Sequence, residues 1–271
     1  MYAQFLSRSF KSVGSVRNYV QGVKLLHLLR GLPFPHFSNT EFKLVLRGIS
    51  RLNPHTPRQP LPITPPVLLR MLEVLDLNTP LHATLWCCFL LAFYLFARKS
   101  NMVPPSKSAF DPKKHLRRGD IVESEAGVLV CIRWSKTIQF GERVLHIPLV
   151  AVPGSPLCPS AAVQRMRRLV AGSRSGPAFL IPSVEGFVSL THASFTTFLR
   201  QILNQAGYTA AAYSGHSFRR GGATWAFSSG VPGELIRMHG DWHSEAYLRY
   251  LEYSVKTKLM VTSKMTAQYR N

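Results

Sequence analysis

The sequence predicts a mostly helical α+β protein. Apolar residues recur at helical spacing over most of its length, whereas residues 106–150 change to the alternating pattern of strands. Two short alternating runs in that stretch predict a small antiparallel sheet. A proline-rich segment separates a short N-terminal part from the remainder, so we assign residues 1–53 to a helical domain, 54–63 to a linker and 64–271 to a larger domain.

Residues 1–53 predict two helices. The first follows Ser15 and ends at Gly31. The second begins at Asn39 or Thr40, either of which can cap it, and has a buried stripe at helical spacing formed by Phe42, Val45, Leu46 and Ile49. Two helices bury such stripes poorly alone, so we expect this unit to be shortened or to pack on something else.

The larger domain begins with a helix at Thr64-Pro65. The apolar run Leu85 to Ala97 predicts a buried helix, about Leu81 to Ala97, because its thirteen residues fall short of the roughly 20 needed to cross a bilayer. Arg98 follows this helix directly. We therefore expect a charged side chain to emerge where the most buried helix ends.

The remaining elements follow in order. A strand run from Val128 to Trp134 ends just before Ser135-Lys136-Thr137, and a second run covers Val144 to Ile147. Helices are expected near Pro159 and Thr191, around His216, and between Leu235 and Met238. A last amphipathic helix is expected to carry Tyr247, Tyr250 and Tyr253.

Charge indicates the class of partner. The chain has 33 Lys and Arg and 13 Asp and Glu, which gives a formal net charge of +20. This excess of positive charge favours a nucleic acid as partner. A membrane partner is not expected, because the basic residues are spread over the whole length. The four cysteines show no Cys-x-x-Cys spacing, so the sequence predicts neither a disulfide framework nor a zinc site. It fits a reducing compartment. No secretory leader is recognisable, so we do not expect secretion.

The segment Gly215–Thr224 concentrates polar residues among small ones. On a helix, His216 and Arg219 stand three residues apart, close enough to hold the same small anion. Arginine presents a planar fork of donors that matches phosphate oxygens and keeps its charge at neutral pH. The pair therefore indicates phosphate chemistry, with a surface face or a structural pair as the alternative.

Four elements occur in a set order: Arg98 at a helix end, Lys136 at a strand end, His216 with Arg219, and a tyrosine near the C-terminus. This order resembles the tyrosine recombinase family over about residues 64–255. The segments Trp134–Thr137, Gly215–Gly221 and Tyr247–Tyr250 look most like recombinases of DIRS-like and Ngaro retrotransposons or Cryptons. Residues 1–53 then resemble a shortened core-binding (SAM-like) domain that clamps DNA.

The resemblance implies DNA cleavage and rejoining without metal or nucleotide cofactors. Tyr250 would attack the phosphorus and form a covalent 3′-phosphotyrosine, and Lys136 would protonate the leaving 5′ oxygen. The other implied catalytic residues act on the phosphate oxygens or the tyrosine proton: Arg98, His216, Arg219 and Trp242. Implied partners are double-stranded DNA and further copies of the chain, up to a tetramer on two DNA segments. A mobile-element origin implies a nuclear location.

Each role has an alternative. Arg98 could extend from an apolar helix into water, Lys136 could be an ordinary turn lysine, and Trp242 could be a packing residue. Helical spacing does not choose among the tyrosines, so Tyr247 and Tyr253 remain alternative nucleophiles to Tyr250, which the resemblance favours.

Two positions depart from the family pattern. Asn101 stands where the family often has an acid, which affects how Arg98 is held. Asp241 separates Gly240 from Trp242, whereas the family's His or Trp commonly follows that glycine directly, so the roles of Trp242 and His243 stay open. Two other functions also stay open: an inactive relic that only coats DNA, and a topoisomerase-like enzyme that relaxes supercoils.

Overall fold

The computed structural model describes residues 2–10, 12–34, 40–54, 59–184, 186–251 and 255–267, without the side chains of 256–258 and 261. The chain divides into two compact units, Met1–Gln59 and Pro60–Asn271. The predicted mostly helical α+β class with a small antiparallel sheet is confirmed.

The first unit contains three helices in its described part: α1 (Tyr2–Ser9), α2 (Val13–Leu29) and α3 (Thr40–Leu52). The sequence predicted only two, because α1 has eight residues and is too short to show a repeated helical pattern. Ser12 caps α2, with the Gly14 N–H 3.2 Å from its hydroxyl. Asn39, one of the two expected caps of α3, lies outside the described residues, and Thr40 is the first residue of that helix.

Burial in the first unit is incomplete. Its small core comprises six side chains from the three helices: Ala3, Leu6, Val16, Val20, Leu46 and Ile49. Other members of the predicted stripes are exposed, including Tyr19, Leu26 and Val45. Packing α1 onto α2 and α3 therefore covers only part of the apolar surface.

The second unit begins with extended chain that packs against its interior. The Leu61 N–H donates to the Ala212 carbonyl at 2.8 Å, and the Ile63 N–H donates to the Ser217 carbonyl at 3.0 Å. Ile63 is fully buried. Residues 55–58, with Pro57, lie outside the described residues, but from Pro60 the proline-rich stretch belongs to the second unit. Helix α4 follows (Pro65–Leu72).

Helix α5 (Pro80–Tyr94) lies at the centre of the second unit, and every residue from Ala83 to Phe93 is buried. Apolar residues on all sides are typical of a helix surrounded by protein. The helix ends three residues earlier than predicted, because Phe96 adopts a left-handed backbone conformation with φ 47° and turns the chain. The short helix α6 (Lys99–Met102) follows at once, with Arg98 as its N-cap residue.

A three-stranded sheet shares the core of the second unit with α5. Its strands are β1 (Ile121–Ser124), β2 (Gly127–Ile132) and β3 (Leu145–Val150), all antiparallel in the order β1-β2-β3. Val130 pairs with both Ile121 and Ile147. The sequence predicted β2 and β3 but missed β1. It also missed the hairpin of β4 (Leu180–Ser183) and β5 (Gly186–Ser189), which follows α7 (Pro159–Leu169).

Three phenylalanines join α5 to the next two helices, α8 (His192–Gln205) and α9 (His216–Ser228). The ring of Phe89 stacks on Phe218 at 5.1 Å between centroids and meets Phe195 edge-on at 5.5 Å. All three are buried. Aromatic packing of this kind fixes the start of α9, where the His216–Arg219 motif lies.

The C-terminal part differs from prediction. After α10 (Gly233–His239), Tyr247 and Tyr250 lie on a 3-10 helix, Glu245–Tyr250, and the last helix, α11, covers Val255–Ala267. The prediction that one amphipathic helix carries the tyrosines is therefore wrong for Tyr247 and Tyr250. Tyr253 lies outside the described residues. Tight 3-10 turns leave the tyrosines three positions apart on nearly the same side, so the sequence pattern resembled an α-helix.

We predict that Gly222→Ala destabilises the second unit. A Cβ there would lie 2.2 Å from the Phe93 carbonyl oxygen and 2.6 Å from the ring of Phe96, so α9 would have to move away from α5. We expect a loss of about 1–3 kcal/mol of unfolding free energy, measured by urea denaturation.

Gly176→Ala is the matched control, since a Cβ there comes no nearer than 3.4 Å to another atom. Its effect should stay within about 0.5 kcal/mol. Equal stability of the two variants would show that α5 and α9 are not packed this closely.

Candidate active site

Arg219 is a buried cation at the centre of the site. It lies one turn into α9 and is 3% exposed. Its Nη1 donates to the Phe96 carbonyl and its Nη2 to the Gly240 carbonyl at 2.8 Å. The carbonyl of Phe96 is available because the left-handed turn ends α5 there. The buried Nε of Arg219 has no hydrogen-bond partner among the described residues, which leaves a donor for a ligand.

Trp242 covers the guanidinium. Its ring centroid lies 3.7 Å from Arg219 Cζ, a cation–π contact. Gly240 permits this, because a Cβ at Gly240 would lie 1.7 Å from the Trp242 ring. Trp242 is also a packing residue, buried in a cluster with Phe96 and Tyr247. Trp242 is therefore a packing residue whose ring lies on Arg219, and its catalytic role stays a prediction.

Arg98 and His216 lie close to Arg219. Arg98 is half-buried and lines a small pocket together with Arg219, Gly240 and Asp241. His216 is the first residue of α9 and is exposed on one side. Neither the Arg98 guanidinium nor the His216 ring has a hydrogen bond or ion pair with any described residue. The structure thus brings these three predicted residues together.

Like charges perturb the pKa values of the group. Burial, reinforced by the positive charge of Arg98, lowers the pKa of Arg219 to about 9. Partial burial of the ring, with the charges of Arg98, Arg219 and Lys99, lowers the pKa of His216. At neutral pH His216 is therefore uncharged and Arg219 remains charged. An anion between Arg98 and Arg219 would relieve the repulsion between these two charges.

Lys99 is a cation that the sequence reasoning missed. Its ammonium donates to the Thr196 hydroxyl at 3.2 Å, and its stem packs where a Cβ on Gly215 would be, 3.2 Å from Lys99 Cδ. Its position directly after Arg98, facing a small residue beside His216, is a signal that could have found it.

Tyr250 is the described tyrosine that reaches the cationic cluster. It is half-buried, with its ring 5.7 Å from the Trp242 ring that covers Arg219, and it raises the pKa of the Arg219 guanidinium against the larger effect of burial. The Thr224 hydroxyl donates to the Tyr250 carbonyl, which ties the 3-10 helix to α9. A phenol beside two guanidinium groups and an imidazole, which are able to bind phosphate oxygens, is suited to attack a phosphate.

Tyr247 points elsewhere. It is buried, and its hydroxyl lies 3.3 Å from the position of a Cβ on Gly233, at the start of α10. Tyr247 thus packs on Trp242, with 6.2 Å between the ring centroids, and its hydroxyl lies at the start of α10. Tyr253 lies outside the described residues.

Lys136 lies in a tight turn after β2. Ser135 and Ile138 close the turn with two backbone hydrogen bonds of 3.1 Å, and the Lys136 side chain is exposed. Its ammonium makes no hydrogen bond or ion pair with a described residue. The turn itself is held close to the cluster, because Ser135 and Thr137 both donate to the carboxylate of Asp241, the neighbour of Gly240 and Trp242.

The departure at Asn101 has a structural role, and His243 lies apart from Arg219. The Asn101 amide donates to the Trp134 carbonyl at 2.7 Å, so it holds the end of the β2 run beside α6 and not the Arg98 guanidinium. His243 is exposed, and its Nε2 lies 3.1 Å from the Nη2 of Arg143. It faces that loop arginine and makes no described contact with Arg219.

The described residues contain no group of three His, Cys, Asp or Glu side chains placed to hold a metal ion. None of their helices combines the length and the apolar character that a membrane span requires.

We predict that Arg98→Gln raises the pKa of His216, because it removes one of the charges that lower it. NMR titration of the imidazole nitrogens, assigned with His216→Gln, measures this. Inorganic phosphate should raise the same pKa in the unaltered chain by neutralising the cluster.

Arg70→Gln is the control, since Arg70 pairs with Glu73 on the surface. An unchanged His216 pKa in Arg98→Gln would mean that the two side chains do not share a site.

The chain is similar to known proteins in its fold. No protein-family model and no curated protein matches the chain. Its fold is similar to that of the XerH site-specific recombinase bound to a palindromic difH substrate in a post-cleavage complex, with a TM-score of 0.53 and 16% identity over 76% of this chain and 53% of XerH. The chain therefore spans about half the length of XerH.

Two further structures match over more of their own length. XerA recombinase has a TM-score of 0.51 and 16% identity, and the match covers 100% of this chain and 81% of XerA. The Tn1549 transposon integrase in complex with circular intermediate DNA has a TM-score of 0.55 and 11% identity, over 96% and 82% of the two chains. The fold of this chain is that of the tyrosine recombinase catalytic domain.

Proposed function

We propose that this chain cuts and rejoins DNA strands at specific sites, with Tyr250 as the nucleophile and a covalent 3′-phosphotyrosine as the intermediate. The observation that carries the proposal is the convergence of Arg98, His216 and Arg219 beside the phenol of Tyr250. Similarity in fold to recombinases solved with DNA supports DNA as the substrate.

The chemistry needs no cofactor in this proposal. The Tyr250 oxygen attacks the scissile phosphorus while its proton passes to neutral His216, which the lowered pKa keeps able to accept it. The bond between phosphorus and the 5′ oxygen breaks, and Lys136 gives that oxygen a proton. Attack of a 5′ hydroxyl on the phosphotyrosine reverses the steps and rejoins a strand.

Arg98 and Arg219 bind the non-bridging oxygens. Arg219 is rigid, because two carbonyls and the Trp242 ring hold it, so it needs no rearrangement when negative charge develops on the phosphate. Arg98 has no partner among the described residues and is available to the same phosphate. Preorganised donors of this kind lower a barrier more than mobile ones do.

Further parts of the proposal rest on the family resemblance. We propose double-stranded DNA as partner, assembly up to a tetramer on two DNA segments, and an origin in a DIRS-like, Ngaro or Crypton mobile element with a nuclear location. Residues 1–53 would clamp the DNA. The net charge of +20 supports a polyanionic partner in either an active enzyme or a DNA-coating relic.

We predict that the chain forms a covalent adduct with nicked duplex DNA and that Tyr250→Phe abolishes it. Because the target site is unknown, the substrate is a pool of duplexes with random sequence around the nick, and adducts are recovered on denaturing gels and sequenced. Tyr247→Phe is the matched control and should keep the adduct, since its hydroxyl faces Gly233.

Other outcomes decide against parts of the proposal. An adduct that survives in Tyr250→Phe and disappears in Tyr253→Phe would move the nucleophile. DNA binding without any adduct would favour the inactive relic, and relaxation of supercoiled plasmid by monomers would favour the topoisomerase-like enzyme.

We also predict that Arg98→Gln and Arg219→Gln each slow adduct formation by about 10²–10³-fold, the usual effect of removing one donor to a developing oxyanion. Single-turnover rates on the recovered sequence measure this. Arg70→Gln, a surface arginine paired with Glu73, should leave the rate unchanged. Equal rates in all three variants would remove both arginines from the chemistry.

A further inference from the structure

Asp241 occupies an unusual position. It follows α10 and Gly240, it is 7% exposed, and its backbone has a φ of 52°. Among residues with a side chain, Asp and Asn adopt this left-handed conformation most readily. A buried carboxylate is retained only where several donors compensate its lost hydration.

Those donors come from one loop more than ninety residues earlier. The Ser135 hydroxyl donates to Oδ2 of Asp241 at 2.9 Å, and the Thr137 hydroxyl donates to the same oxygen. Arg143 forms an ion pair with Oδ1. Burial alone would raise the pKa of Asp241, but hydrogen bonds from Thr137, Ser135 and Arg143 outweigh it and lower the pKa. The carboxylate is therefore charged and fully engaged at neutral pH.

Ser135 and Thr137 are the two neighbours of Lys136. The Thr137 N–H also donates to the Ser135 hydroxyl at 3.1 Å, so the hydroxyl that binds Asp241 is part of the turn's own hydrogen bonding. Asp241 thus holds the turn from both sides of the lysine, while the lysine side chain itself stays exposed.

The residues on either side of Asp241 hold Arg219. The Gly240 carbonyl accepts from its Nη2, and the Trp242 ring covers its guanidinium. Three consecutive residues therefore connect two groups with different proposed tasks, the arginine that binds phosphate oxygens and the turn that carries the general acid.

We propose that Asp241 is a positioning residue, which fixes the Lys136 turn relative to Arg219 so that the lysine reaches the leaving 5′ oxygen. This inference rests on the proposed function. Asp241 touches no reacting atom in it and acts through Ser135 and Thr137. It gives a role to the residue by which this chain departs from the family pattern.

The first test needs no activity. Asp241→Asn keeps the side-chain volume and tolerates the left-handed backbone. Its NH2 group replaces one carboxylate oxygen, however, and this donor then faces a hydroxyl or guanidinium donor in place of an acceptor. We expect amide hydrogen exchange in residues 134–139 to become about tenfold faster or more, as when a charge-assisted hydrogen bond is lost, while α5 keeps its protection. Glu245→Gln, an exposed carboxylate four residues away, should change neither segment. Unchanged exchange at 134–139 in Asp241→Asn would overturn the proposal.

The second test uses leaving-group chemistry. A DNA substrate with sulfur in place of the bridging 5′ oxygen releases a thiolate, which needs little help from an acid. On the ordinary substrate, Asp241→Asn and Lys136→Ala should both slow cleavage by about 10²–10⁴-fold, the range of general acid catalysis. On the sulfur substrate both should return close to the unaltered rate, whereas Arg219→Gln should stay slow. Asp241→Asn combined with Lys136→Ala should be no slower than Lys136→Ala alone.

A merely structural role gives another pattern. If Asp241→Asn stays slow on the sulfur substrate, or adds its full effect to that of Lys136→Ala, Asp241 does not act through the lysine. Thr137→Val, which removes one hydroxyl, keeps the test valid should Asp241→Asn fold poorly, and it should show the same rescue with a smaller defect. If the unaltered chain forms no adduct, the proposed function fails, and hydrogen exchange alone decides whether Asp241 holds the turn.

Discussion

The burial of the Arg219 guanidinium constrains the rest of the site. Arg219 is 3% exposed and lies near Arg98, so its charge is stable only if surrounding groups compensate the lost hydration and the repulsion from Arg98. Two backbone carbonyls and an aromatic face do so, and each requires a particular local conformation: the left-handed Phe96 and the side-chain-free Gly240. The end of α5, the start of α9 and the end of α10 are therefore brought together by one side chain. The same arrangement leaves positive charge facing Tyr250.

Local sequence patterns predicted much of this. The apolar run before Arg98 gave α5 as a buried helix, because no polar face interrupts it. The change from helical to alternating spacing of apolar residues predicted β2 and β3. The three-residue spacing of His216 and Arg219 predicted that both lie on one helix, and both lie on the first turn of α9. These properties depend on neighbours within a few residues, where spacing and residue type decide the conformation. The short elements α1, β1 and the β4–β5 hairpin carry too few residues for such a pattern.

Contacts between distant segments could not be predicted. The carboxylate of Asp241 meets Ser135 across 106 residues, and nothing in the local sequence around either residue indicates the other. Tyr247 and Tyr250 stand one 3-10 turn apart, yet the Tyr247 hydroxyl lies near Gly233 whereas Tyr250 raises the pKa of Arg219, a difference that their spacing does not show. Such choices are made by packing in three dimensions.

The central claim is that Arg98, His216 and Arg219 surround one phosphate in front of Tyr250. A crystal structure of Tyr250→Phe bound to duplex DNA of the recovered sequence tests it most directly. The account predicts a phosphate within hydrogen-bond distance of both guanidinium groups, with its phosphorus facing the ring at position 250 and the 5′ oxygen toward Lys136. Duplex DNA bound on another surface, with no phosphate between the two arginines, would contradict it.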